Sequence, residues 1–304
     1  MTVTGATGLI GPALLAALLE RGAQVTVLTR DPDRVHARSG SSGPVEAVGW
    51  DLLREPAPAA ALEGRDAIVH LAGENVAQRW TSKARQAIRE SRVTGTRHLV
   101  EGLRGLKERP STLVSASAIG YYGAHGEEPL DEDAPPGNDF LAVVCADWER
   151  EAAGATGLGV RVVQVRTGVV LDRSGGALAK MLPAFRLGVG GPVAGGRQYI
   201  SWIHGDDLVG IYLAALSDEH WQGPVNATAP EPICNRDFSR ALGRALGRPS
   251  LLPVPGAALR LLYGDMAEIV TQGARVVPAK PLVLGYEFRH PALPEALTSA
   301  LASG

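Results

Sequence analysis

The first twenty-two residues constrain the fold more than any other stretch. Met1 to Thr4 is a short β-branched run. Gly5, Gly8 and Gly11 follow at three-residue spacing, and Pro12 to Arg21 is an Ala/Leu-rich helix stopped by Gly22. A strand, a glycine loop and a helix in that order form a phosphate cradle. The first glycine permits the tight turn, the second lets a pyrophosphate approach the backbone, and the third lets the helix pack closely. The free N–H groups and positive dipole end of the helix then face the phosphates. Gly5, Thr7, Gly8, Leu9, Ile10 and Gly11 are the residues expected to line a dinucleotide.

The pattern continues as alternating strands and helices. Gln24–Thr29, Val45–Gly49, Ala67–Leu71, Ser111–Ser115 and Val160–Val165 read as strands, with helices over Ser82–Leu106 and Leu141–Ala155. Apolar strands alternating with helices predict a doubly wound α/β fold with a parallel sheet covered on both faces. The alternation fades after Arg166, where glycines and prolines accumulate, and Asp206–Leu216 reads as a helix returning to the sheet. The expected organisation is a Rossmann-type dinucleotide-binding domain over residues 1–170, completed by about 200–228. A smaller C-terminal substrate lobe takes 171–199 and 229–304. The Ser/Gly tract Ser39–Gly43 reads as a surface loop.

The second strand ends in Thr29 and Arg30, where folds that prefer NAD carry an acid for the ribose 2′-hydroxyl. A hydroxyl and a guanidinium there suit a 2′-phosphate, so the expected cofactor is NADP(H). Thirty Lys and Arg against thirty-two Asp and Glu give no broad field for nucleic acid or anionic lipid. No apolar run is long enough for a bilayer, and Met1 to Gly11 is a strand and turn rather than a basic, apolar leader. Cys145 and Cys234 form neither a disulfide framework nor a zinc motif, so no metal is expected and a reducing, cytoplasmic setting is the default. The expected partner is a small-molecule substrate; oligomeric state is left open.

Four further segments join the glycine loop: His70–Gly73 (HLAG), Val114–Gly123 (VSASAIGYYG), Asp139–Glu149 (DFLAVVCADWE) and Trp202–Leu208 (WIHGDDL). With Glu90–Thr96 (ESRVTGT) and Gly285–Leu293 (GYEFRHPAL), the chain resembles the extended short-chain dehydrogenase/reductases. More narrowly, it resembles their atypical epimerase branch, often labelled nucleoside-diphosphate-sugar epimerase, whose activity is largely unassigned. The resemblance implies that Asp51 contacts adenine, that Ala72 and Gly73 line the cofactor, and that Ser117 bonds a substrate oxygen. It also implies departures. Members carry a Tyr-x-x-x-Lys pair for proton transfer and ribose binding; here Leu141 and Cys145 hold those positions, and Arg92 stands where an asparagine usually supports the relay.

Leucine transfers no proton. Tyr121 and Tyr122 follow Ser117 and are candidate replacement acids, with Arg92 as a neighbouring cation; Tyr121 is taken as the catalytic candidate beside Ser117. The Cys145 thiol is expected either to pack as a small hydrophobe or to face the nicotinamide ribose. Arg166, ending the sixth strand, is the candidate substrate cation, and Asp206 a candidate helix N-cap. Two functions follow: an NADP(H)-dependent oxidoreductase or epimerase acting on a small substrate, with a sugar nucleotide one candidate; or a sensor that holds NADP(H) with little turnover.

Overall fold

Each apolar strand of the sequence presents alternate side chains to opposite faces, and seven of them assemble into one sheet. The computed structural model describes residues 1–33, 35 and 45–302; the Ser39–Gly43 tract lies outside the described residues. The sheet strands are β1 (Thr2–Thr4), β2 (Val25–Thr29), β3 (Val45–Gly49), β4 (Ala67–His70), β5 (Thr112–Ala118), β6 (Arg161–Thr167) and β7 (Gly223–Ala227). Their order is β7-β6-β5-β4-β1-β2-β3, and every neighbouring pair is parallel. This is a Rossmann-like α/β fold. The chain winds outward from β1 through β2 and β3, then returns to β4 on the other side of β1. That reversal opens a crevice beyond the carboxyl ends of β1 and β4.

The longer helices are α1 (Gly11–Glu20), α2 (Ser82–Arg104), α3 (Phe140–Ala153), α4 (Gly176–Arg186), α5 (Gly205–Ser217), α6 (Asn235–Ala245) and α7 (Leu293–Ala302). Leu14 and Leu18 of α1 join Leu208, Ile211 and Tyr212 of α5 against Val3, Val27, Val69, Val114 and Val163. Leu99, Val100 and Leu103 of α2 and Ala152 of α3 cover the other face with Leu28, Ile68, Leu113 and Val162. Adjacent residues such as Val162 and Val163 thus serve opposite faces, as the two-residue strand period requires. Each fully buried leucine contributes about 1.5–3 kcal/mol. The Thr81 and Asp139 side chains accept from Ala84 N and Ala142 N and cap α2 and α3, which explains the aspartate opening the DFLAVVCADWE segment.

Two strands run further than the sequence suggested: β5 reaches Ala118 and β6 reaches Thr167. β7 was not visible as a strand because GPVNA carries Gly, Pro and Asn. It pairs only with β6, and an edge position tolerates Pro224. A separate apolar cluster joins Leu178, Leu182 and Phe185 of α4, Phe238 and Leu242 of α6 and Leu297 of α7 around Trp202. It sits beyond the carboxyl edge of the sheet, where Gly175 and Gly176 pack on Leu9, Lys180 Nζ donates to Ala77 O and Arg85 pairs with Asp265. Among the described residues no helix is long and apolar enough to cross a membrane.

Candidate cofactor and substrate site

The three glycines have three different reasons to be glycine. Gly5 has φ +69°, and a Cβ there would lie 2.6 Å from Leu71 C. A Cβ on Gly11 would lie 2.3 Å from Ala6 O. Gly8 is exposed, and its Cβ position meets only Gly5 O at 3.2 Å, so this residue opens the backbone to the crevice. Ile10 caps α1 without a side-chain hydrogen bond, leaving the helix N-terminus to a ligand. Thr7 is exposed, and Leu9 and Ile10 are half-buried beside it. These residues fit a pyrophosphate.

At the end of β2, Thr29 Oγ1 accepts from Asp31 N and Arg30 is exposed. Asp51 follows β3 and pairs with the exposed Arg54. Ala72 N donates to Thr4 Oγ1, which contacts His70 Nδ1 at 2.7 Å, while His70 Nε2 lies 3.0 Å from Thr96 Oγ1. Both ring nitrogens of His70 therefore have a hydroxyl partner. Burial pushes the His70 pKa down to about 4 and keeps the ring neutral. The HLAG histidine is therefore a girder tying β1, β4 and α2 together beneath Ala72 and Gly73. Its role was not read from the sequence.

Ser117 and Arg166 are register partners on β5 and β6. Ser117 Oγ donates to Glu149 Oε1 at 2.6 Å, and Arg166 holds the same carboxylate through Nε and Nη2, both at 2.8 Å. Arg166 Nη1 donates to Tyr122 Oη and Glu132 O. The expectation that Arg166 meets substrate is corrected by this network: the side chain is 2% exposed, and its four hydrogen bonds all go to Glu149, Tyr122 and Glu132. Burial alone would lower the Arg166 pKa, but the hydrogen bonds and charge of Glu149 outweigh it and raise it. Glu149 was quoted as part of a motif yet given no role; its place one turn after Cys145 on α3 was the available signal.

Tyr122 is fully buried between Asp131 O, Asn226 Oδ1 and Arg166, and burial raises its pKa to about 12. Tyr121 is half-buried with its ring 3.5 Å from Arg166 Cζ. The cation beside the tyrosines is thus Arg166 and not Arg92, whose guanidinium lies against Gly73 and 5.1 Å from the Trp148 ring. Cys145 is buried, and burial raises its thiol to about 12, so it stays neutral. Leu141 and Cys145 both pack beside Gly120, whose Cβ position lies 3.4 Å from Leu141 Cβ and 3.9 Å from Cys145 Sγ. The positions of the ordinary pair therefore do reach the turn after Ser117, but as packing groups.

His204, and not Asp206, caps α5: its Nδ1 accepts from Asp206 N at 3.1 Å. The imidazole can reach back across the first turn, which leaves Asp206 inside the helix. His204 stacks on His290 at 3.8 Å between centroids, and both approach the Asp206 carboxylate. The three ligand atoms lie within 4.8 Å; His204 Nδ1 is engaged in capping, and its Nε2 is buried without a hydrogen-bond partner among the described residues. Two clefts of about 520 and 720 Å³ open at the amino edge of the sheet, beside Gln24 and Asp66 and beside Arg161 and Gly223, away from this chemistry. Ligands of open α/β sheets bind at the carboxyl edge, so the crevice by the glycine loop is the relevant one.

The model of the NAD dependent epimerase/dehydratase family matches residues 1–226, and that of a domain of unknown function, DUF1731, matches residues 254–300. The chain belongs to the NAD dependent epimerase/dehydratase family. It is 37% identical to the human epimerase family protein SDR39U1 across 99% of both chains. It is 38% identical to the chloroplastic SDR39U1 homolog of Arabidopsis thaliana over 99% of this chain and 86% of that one. A crystal structure of the human protein (isoform2) with NADPH superposes with TM-score 0.87, at 35% identity and 99% coverage of each chain. UDP-glucuronic acid 4-epimerase from Bacillus cereus, in complex with UDP-glucuronic acid and NAD, shares the fold at 19% identity, TM-score 0.77, and coverage of 97% and 96%. In this epimerase-family chain the glycine loop stands at the end of β1 and opens α1.

Proposed function

We propose that the chain binds NADP(H) across the carboxyl ends of β1, β2 and β4 and transfers hydride to or from a small, sugar-nucleotide-like substrate. The observation that carries this is the conjunction of an open Gly8, an uncapped α1 and the exposed Arg30 at the end of β2. The NADPH held by the human relative supports the choice of cofactor. Gly5, Thr7, Gly8, Leu9, Ile10 and Gly11 hold the pyrophosphate in this reading. Thr29 and Arg30 receive the 2′-phosphate, Asp51 the adenine, and Ala72 and Gly73 the nicotinamide half. The cofactor supplies the hydride; Ser117 gives its proton to Glu149 and holds that network behind the site, and the Tyr121 phenol is the proton-transfer candidate beside it. The free cysteines fit a reducing compartment.

The test is calorimetry with both dinucleotides. NADPH should bind more tightly than NADH, and Arg30→Ala should narrow the gap by about 1.5–3 kcal/mol, the worth of a hydrogen bond to a charged group. Equal affinities in the unaltered protein would overturn the choice of NADP(H). A second reading, a cofactor sensor with little turnover, is favoured by one observation: Leu141 and the neutral Cys145 stand where the ordinary pair stands. Steady NADPH oxidation with any member of a broad carbonyl panel would exclude it.

A further inference from the structure

We propose that Arg92 supplies the cation that holds the nicotinamide ribose, the post that Cys145 leaves unfilled. The inference rests on the NADP(H) reading and deepens it. A dinucleotide with its pyrophosphate on α1 and its adenosine over β2 and β3 must carry its other half across β1 toward β4 and β5. Its path passes Gly73, the exposed residue that follows β4 and Ala72. Gly73 has no side chain of its own to stand between a ligand and Arg92, whose guanidinium lies against it: the Gly73 Cβ position is 3.2 Å from Cζ, 3.3 Å from Nη2 and 3.5 Å from Nη1.

The guanidinium is held and yet incompletely satisfied. Nη1 donates to Glu74 O and Ile88 O, and the Trp148 ring backs the plane at 5.1 Å. Nη2 makes no hydrogen bond among the described residues, and no carboxylate there forms an ion pair with Arg92. Cys145, its electrostatic neighbour from α3, is a neutral thiol and gives no counter-charge. Burial is the largest influence on the Arg92 pKa and pulls it down, with Glu74 opposing it more weakly. A half-buried cation served only by carbonyls and a ring is left with donor capacity toward the crevice. Oxygen acceptors on a ribose passing Gly73 match it. Arginine keeps its charge under this desolvation more firmly than lysine would, because its unperturbed pKa is higher.

Three probes separate this role from a general one: NADPH, 2′-phospho-ADP-ribose (ribose kept, nicotinamide absent) and 2′,5′-ADP (both absent). Arg92→Met should weaken the first two about 10-fold or more and leave 2′,5′-ADP unchanged, with Arg92→Lys recovering most of the loss. Equal weakening of all three, or of none, would overturn the proposal, and a loss confined to NADPH would move the contact to the nicotinamide ring. Should the unaltered protein bind 2′,5′-ADP and NADPH equally, Arg92 makes no contact beyond the adenosine half and the proposal fails while the cofactor reading stands. If the unaltered protein binds neither, the cofactor reading falls first. Thermal unfolding of both variants, expected within a few degrees of the parent, controls for folding.

Discussion

Two adjacent tyrosines follow Ser117, and their surroundings give them different work. Tyr122 has three hydrogen-bond partners and a pKa raised to about 12 by burial, so it is part of the scaffold. Tyr121 presents a half-buried ring on the Arg166 guanidinium. Tyr122→Phe takes away the one proton that Asp131 O and Asn226 Oδ1 share and the acceptor of Arg166 Nη1, and should cost about 1–3 kcal/mol in urea unfolding. Tyr121→Phe should leave stability near the parent and lower turnover by a factor of about 100–10,000. Full turnover in Tyr121→Phe would show that the proton moves elsewhere. His70 carries a pH dependence of its own. Its folded pKa is depressed to about 4 from an ordinary 6.5, so the unfolded chain takes up the proton first as pH falls. Stability from this group is complete above about pH 6.5 and is lost as pH falls through 4, by about 3 kcal/mol in all. His70→Gln should lower the melting temperature at pH 7 and flatten its fall between pH 6.5 and 5; an equally steep fall in the variant would place the dependence on other groups.

At the scale of elements, the glycine loop separates binding from folding. Gly8→Ala adds a methyl whose only near neighbour is Gly5 O at 3.2 Å, whereas Gly11→Ala drives one to 2.3 Å from Ala6 O. The first variant should melt within a few degrees of the parent and, on the proposed cofactor reading, bind NADPH at least tenfold more weakly. The second should be destabilised by about 1–3 kcal/mol, as overpacked sites are. A Gly8→Ala protein with parental affinity would remove the pyrophosphate from this loop. The spacing of the glycines was legible because backbone conformation is a local property: φ +69° at Gly5 is a demand on one residue. The network of Ser117, Glu149 and Arg166 was not, since it joins β5, α3 and β6 across separations of 32 and 17 residues.

Across the whole molecule, one of the ties between the C-terminal segment and the helices on the sheet is an aspartate. Asp207 is buried in α5, and its carboxylate accepts from Arg289 N at 2.7 Å and His290 N at 3.0 Å. Its carbonyl accepts from Tyr286 Oη at 2.9 Å, and that phenol packs so close to Gly210 that a Cβ there would lie 2.1 Å away. Asp207→Ala leaves two amides without an acceptor, at about 1–3 kcal/mol each. We expect faster hydrogen exchange over 285–302 with β1 and β4 still protected. Unchanged exchange in that segment would mean that its other contacts, among them those of α7 with Trp202 and Phe238 and Arg173 Nη1 to Leu301 O, hold it without the aspartate.

The sequence by itself determined the α/β winding, the epimerase family and the glycine loop that opens α1. These rest on local signals: two-residue and 3.6-residue periodicity, glycines at a turn, and the identity of a residue at a motif position. Only the tertiary structure decided that Arg166 turns inward, that His204 and not Asp206 caps α5, that His70 is a neutral girder, and that Arg92 lies beside Gly73 rather than Tyr121. A charged or polar side chain has the same letters whether it faces a ligand or a buried partner. Which of the two it does depends on what distant strands and helices bring within hydrogen-bond reach, because desolvation penalises any such group left without a partner.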